Sequence, residues 1–133
     1  MAGSFSDYLE NKLLDHVFRD TAFTAPSTLY VGLYTTAPTD AGGGTEVSGG
    51  SYARVSCVPA STFAAAASGA TQTTATVTFP QASGTWGTVV AFGIFDQATS
   101  GNLLAWGDLT LSKSISSGDI ASFAIGDIDI TLD

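Results

Sequence analysis

The chain has 133 residues, enough for one domain that removes roughly two-thirds of its unfolded surface from water. Twelve acidic and four basic side chains give a formal charge of −8, and the cations Lys12, Arg19, Arg54 and Lys113 are scattered, so no basic stripe is available to neutralise a row of phosphates and nucleic acid is not an expected partner. Hydrophobic residues make up 44% of the chain against 12% charged, and Cys57 is the sole cysteine, which together describe a Ser, Thr and Gly-rich β protein without an intrachain disulfide or a cysteine zinc site.

Residues 1–6 lack a basic start, and Asp7, Glu10 and Lys12 interrupt the first apolar positions. No secretory leader is therefore expected, synthesis in the cytosol is, and no run approaches the ~18 apolar residues of a membrane span. Residues 5–19 are predicted as a helix. Phe5, Leu9, Leu13 and Val17 recur at i+4, Leu14 and Phe18 widen the stripe, and Asp7, Glu10, Lys12 and Asp15 take the other face. Ser4 with Asp7 reads as a capping box and Asp15 with Arg19 as an i,i+4 pair. The apolar stripe has two readings, a cover for the domain's own sheet or a face for a neighbouring subunit.

A connector containing Pro26 leads to a strand over 28–36, in which Leu29, Val31 and Leu33 share one parity and Tyr30, Gly32 and Tyr34 the other. Residues 37–51 hold five glycines with Asp40 and Glu46. They lack the Gly-Lys-Ser/Thr ending of a phosphate loop, and their acids would repel phosphate, so a contact loop or mobile loop is expected. Residues 52–58 alternate as a strand with Ala53, Val55 and Cys57 on one side, Cys57 reading as a small buried hydrophobe. The alanine-rich stretch 60–74 reads as loop with at most a short strand, and 75–79 as a further strand closed by Pro80.

The densest apolar run lies within 84–109 and is predicted to be a β-hairpin. Val89, Ala91, Gly93 and Phe95 alternate with Val90, Phe92 and Ile94, so both faces are apolar, as a central strand requires. Residues 96–102 supply the turn, with Gly101 free to take a positive φ, and Leu103 to Trp106 return, prolonged by Leu109 to Leu111. Lys113 to Gly118 turn the chain again. In the last strand, Ile128, Ile130 and Leu132 face one way and Asp127, Asp129 and Thr131 the other. The whole, residues 1–133, is expected to form a single mainly β domain: the helix at 5–19, then an antiparallel β-sandwich of about seven strands over 28–132.

Catalytic chemistry has little to work with. His16 is the only histidine, next to Asp15 on a different helix face, and no G-x-S-x-G elbow occurs. Glu10 and Glu46 lie in unrelated segments, and many of the aspartates fall in turns or at strand ends, where Asp is favoured for local reasons. Asp127 and Asp129, with Asp119 or Asp108, could hold Ca²⁺ through oxygen ligands, but an exposed strand face is the expectation. No cofactor and no metal are expected.

Four blocks, LENKLLDHVFRDTAFTAPSTLYVGLYTTAPTD, GGSYARVS, FPQASGTWGTVVAFGIFDQATSGNLLAWGDLT and SGDIASFAIGDIDITLD, occur in this order. They are similar to a family of small tailed-bacteriophage virion proteins described as tail fibre-like or head decoration proteins. The resemblance covers nearly the whole chain and leaves out 60–74. It implies a non-enzymatic β-sandwich building block that assembles in many copies, with no catalytic residue to carry over. The expectation drawn here is a head decoration (cement) protein on the outer capsid surface, bridging capsomers as a trimer, its partners the major capsid protein and copies of itself. No membrane and no small-molecule substrate enter that reading. Contacts are expected from the helix, through Leu9, Leu13 and Leu14, and from Tyr30, Tyr34, Glu46 and Tyr52. The alternative is a tail fibre or tail-tip module that binds a host-surface receptor through exposed aromatics.

Overall fold

The computed structural model describes residues 2–132, and ten strands and two helices lie among them. The chain opens with a strand, β1 (Ala2–Phe5), followed by the helix α1 (Asp7–Phe18). The predicted helix is thus two residues shorter at its start, and the capping residue is Ser6 rather than Ser4. Ser6 is buried, its Oγ accepts from the Leu9 N–H (3.2 Å) and donates to the Leu103 carbonyl (2.5 Å). Ser4 instead pairs with Trp106 in the sheet. A neighbouring strand edge supplies hydrogen bonds to Ser4 and Phe5 that a capping box could not. Asp15 and Arg19 do approach, at 3.9 Å, with both side chains largely in water.

Then come β2 (Leu29–Thr36), β3 (Thr45–Glu46), β4 (Val55–Cys57), a single-turn helix α2 (Pro59–Thr62) and β5 (Ala70–Gln72). Pro59 begins α2, as its fixed φ allows at a first helical position. The chain continues with β6 (Val77–Thr78), β7 (Gly87–Phe95), β8 (Leu103–Ile115), β9 (Ser122–Phe123) and β10 (Asp129–Thr131). The main sheet runs β3-β2-β7-β8-β1-β10-β5, with β4 on β2 beside β3. Its pairs are antiparallel except β1 with β10. A two-stranded sheet, β6 with β9, lies over the inner face, and the architecture is a mainly β, sandwich-like one.

β7 is central and buried on both faces, as its double parity predicts. Its inner side puts Val89, Phe92 and Ile94 among Val31, Leu33, Val77, Phe79, Trp86, Phe123 and Ile128. Its outer side puts Ala91 and Phe95 with Tyr34. Val89 and Phe92 share a face despite opposite parity because the register breaks between them. Val89 pairs with Lys113 and Ala91 with Asp108, leaving residues 109–112 of β8 opposite Val90 alone. A bulge of this kind re-aims the side chains on either side of it, and here it carries Leu111 outward to 74% exposure.

The turn between β7 and β8 is held by Asp96, whose carboxylate accepts from the Asn102 N–H and side-chain amide, both at 2.8 Å. Gly101 has φ +74°, and a Cβ there would lie 2.6 Å from Asp96 Oδ1, so the expected glycine turn is present. Cys57 is buried as expected, and burial pushes its thiol pKa up. Ile128 is fully buried and Ile130 packs on the core, whereas Leu132, expected on the same face, is 55% exposed because β10 ends at Thr131.

Candidate functional site

Two surfaces stand out, a dense polar-aromatic cluster on the outer face of the sheet and apolar faces left uncovered elsewhere. The cluster rests on a pair of glycines. Gly32 of β2 lies opposite Gly93 of β7. A Cβ on Gly32 would come within 2.8 Å of Glu46 Oε2 and 2.9 Å of Tyr52 Oη, and one on Gly93 within 2.8 Å of the Tyr34 ring. The missing side chains leave a shallow bed in which aromatic and charged groups lie flat against the sheet.

Glu46 enters from β3 and Arg54 from the segment before β4. The guanidinium grips the carboxylate through two bonds, Nε to Oε2 and Nη2 to Oε1, both 2.8 Å. Its Nη1 donates to the carbonyls of Gln97 (2.9 Å) and Ser100 (2.8 Å) in the β7–β8 turn, and its centre lies 3.5 Å from the centroid of the Phe95 ring. The Arg54 side chain is 7% exposed and that of Glu46 25%. Bidentate geometry with aromatic stacking is what arginine, and not lysine, provides.

Tyr52 fills a gap in hydrogen bonding along β2. β3 and β4 pair with the two ends of the same edge, and no strand runs beside Leu33 between them. The Leu33 carbonyl accepts from the Val47 N–H, and the Leu33 N–H donates to Tyr52 Oη at 2.9 Å. The phenol then donates to Glu46 Oε2 at 2.6 Å. Tyr52 thus stands in for a strand carbonyl, while its ring packs edge-on against Trp86 and parallel to Phe79.

Burial, with the charge of Glu46 added to it, raises the Tyr34 pKa to about 12. Burial first and the hydrogen bond to Glu46 second push Tyr52 upward further still. A raised folded-state pKa means that these tyrosines stabilise the fold fully below pH 10, their unfolded value. Above it the unfolded chain releases protons that the folded chain keeps, and stability falls until the folded phenols ionise. Denaturation in urea at a series of pH values is expected to show this decline setting in above pH 10. In Tyr52→Phe the decline is shallower, and the neutral-pH stability is lower by about 1–3 kcal/mol because the Leu33 N–H loses its acceptor. Unchanged stability at neutral pH would show that the phenol does not replace a strand partner.

A second tie anchors the N-terminus. Asp40, in the glycine-rich loop, accepts from Trp106 Nε1 (2.8 Å) and Ser4 Oγ (3.1 Å), and its carbonyl accepts from the Asp7 N–H (2.8 Å). The loop read as a contact or mobile segment is therefore fastened at Asp40 to β1, α1 and β8, and at Glu46 to Arg54.

The predicted contact residues thus fall into two groups. Tyr34, Glu46 and Tyr52 are gathered in the cluster and engaged within the chain. Tyr30 lines an open cleft of about 460 Å³ with Tyr8, Phe23, Pro26 and Asp96. Leu9 and Leu13 are half-buried, and Leu14 is 55% exposed. Arg54, Phe95, Asp40 and Trp106 were not singled out. Arg54 carried the one available signal, being a cation on the same strand parity as Tyr52 in a chain with only four.

His16 is exposed on α1, with Nδ1 accepting from the Phe23 N–H at 3.0 Å. Asp119 and Asp127 accept from the backbone N–H groups of Ser116 and Ala124, in turns. Among the described residues no three His, Cys, Asp or Glu side chains come together as metal ligands, and no helix is long and apolar enough to cross a membrane.

A sheet scaffold whose charged and aromatic groups tie its own loops together, with apolar faces left over, defines a structural β-module. The chain belongs to the family described as podophage GP4 fiber I protein gp80, which matches residues 4–131. That places it among the small virion proteins of tailed phages, in a structural role. No curated protein matches the chain.

Proposed function

We propose that the protein is a non-catalytic structural subunit of a tailed-phage particle and that it belongs to a fibre. The family match over residues 4–131 carries this reading, since the family's own description is that of a fibre protein. The chemistry of the cluster supports it. Glu46 takes three hydrogen bonds, two of them from Arg54, which gives two more to backbone carbonyls. An ion pair engaged in this way holds loops in place, since every hydrogen bond named here joins it to another part of the same chain. Tyr30, which lines the open cleft with Tyr8 and Phe23, is then the aromatic position best placed to meet a receptor.

The rival reading is a head decoration protein that bridges capsomers from the outer surface, and the acidity of the chain favours it. A formal charge of −8 suits a surface facing away from packaged DNA. Copy number in purified particles, measured by quantitative gel, separates the two. A handful of copies, with antibody labelling at the tail, is the expected result. Hundreds of copies spread over the head would overturn the fibre assignment and favour the cement role.

A further inference from the structure

The cleft beside Tyr30 draws its walls from three pinned elements. Tyr30 stands in β2 opposite Phe95 and packs on the cluster of Tyr34, Ala91 and Phe95. Tyr8 comes from α1, whose start Ser6 fastens to Leu103 and Leu104. Phe23 and Pro26 come from the connector between α1 and β2, which His16 holds to the helix by accepting from the Phe23 N–H. Tyr8, Phe23, Pro26 and Tyr30 are all half-buried.

Five side-chain hydroxyls line the same cleft, those of Tyr8, Thr24, Ser27, Thr28 and Tyr30, and among the described residues none of the five has a hydrogen-bond partner. Asp96 lines it too. Asn102 holds the Asp96 carboxylate with one bond to each oxygen, and each oxygen keeps a further lone pair. Lys12 stands over the Tyr8 ring, with Nζ 5.6 Å from the centroid, but the lining residues include no Lys or Arg.

We propose that this cleft binds an uncharged pyranose unit of a receptor glycan, the rings taking its C–H face and the hydroxyls and Asp96 its rim of hydroxyl groups. This rests on the receptor-binding fibre reading and adds to it the chemical class of the ligand. A pyranose brings both surfaces that the cleft can match. Its C–H groups form an apolar face that lies against the negative face of an aromatic ring, and its hydroxyls donate and accept at once, as the free phenols, the Ser and Thr hydroxyls and the carboxylate require.

Other ligand classes fit less well. A purely apolar ligand would take water from five hydroxyls and a carboxylate without replacing its hydrogen bonds. An anion would meet Asp96 and a chain charge of −8, with no lining cation to receive it. An extended peptide needs an unbroken row of backbone groups, and Pro26 removes an N–H from the connector. The volume of about 460 Å³ falls within the usual range for small-ligand sites.

Titration of the isotope-labelled full-length protein with the methyl glycosides of glucose, galactose, mannose and N-acetylglucosamine, followed by NMR, decides this. At least one glycoside is expected to give saturable shifts at the amides of Tyr8, Phe23 and Tyr30, while heparin and oligolysine give none there. Tyr30→Ala and Tyr8→Ala are each expected to weaken binding by about tenfold or more. Tyr8→Phe keeps the ring and removes only a hydroxyl, so it should weaken binding severalfold, and it serves where an alanine variant misfolds. The proposal is overturned by the absence of saturable shifts with all of these glycosides, by shifts confined to other surfaces, by cleft shifts with heparin or oligolysine instead, or by binding that Tyr30→Ala and Tyr8→Phe leave unchanged. Particle copy number tests the fibre assignment and the titration tests the ligand, so either can fail alone.

Discussion

Replacing Arg54 by methionine is expected to lower the stability of the fold by about 3 kcal/mol, since removing one partner of a buried pair strands the other. In Arg54→Met the Glu46 carboxylate keeps only the Tyr52 phenol, and the carbonyls of Gln97 and Ser100 lose their donor. The value is placed at the lower end of the usual range because the Glu46 side chain is 25% exposed and regains some water. Arg54→Lys should recover little, because one ammonium cannot bridge two carboxylate oxygens, two carbonyls and a ring face together. The double variant Arg54→Met, Glu46→Leu should be more stable than Arg54→Met alone, since no stranded charge remains. Urea denaturation measures all three. A loss below about 1 kcal/mol in Arg54→Met would show that the pair is solvated and that the turn needs no anchor from it.

Phe92→Ala should cost about 3–5 kcal/mol, the usual range for emptying a fully buried aromatic site. Phe92 is wholly buried on the central strand, opposite Leu33 and Gly107, with its ring 5.9 Å from that of Phe123. Strands on both sides of β7 hold that site open, so collapse into the cavity is restricted. Phe18→Ala, an equal loss of side chain at 77% exposure, should change monomer stability by no more than about 0.5 kcal/mol. The contrast separates the residues that build the fold from those available to a neighbour. Similar losses at both positions would mean that α1 is part of the core.

The Arg54 brace also shows why the outer face is poor ground for an exposed receptor site. An aromatic cluster over Gly32 and Gly93 looks in sequence like a set of available tyrosines, yet Tyr34 stacks on Phe95 with ring centroids 6.2 Å apart, and Tyr52 reaches inward to Phe79 and Trp86. Tyr30, at the end of β2, remains at an open cleft. Composition made the three tyrosines equivalent, and the position of each along the sheet edge made them different.

What the residues determined unaided was local. The double parity of Val89 to Phe95, the alternation about Val31, the glycine turn at Gly101 and the 3.6-residue stripe of α1 each follow from side-chain order over a few residues. Tertiary structure alone decided that Ser4 joins a strand, that Asp40 meets Trp106, that Tyr52 replaces a missing strand, and that the α1 stripe stays uncovered. The physical reason is range. Periodicity states which face of an element is apolar, but the partner of that face is set by strand pairing and loop closure across tens of residues, where many arrangements satisfy the same local pattern.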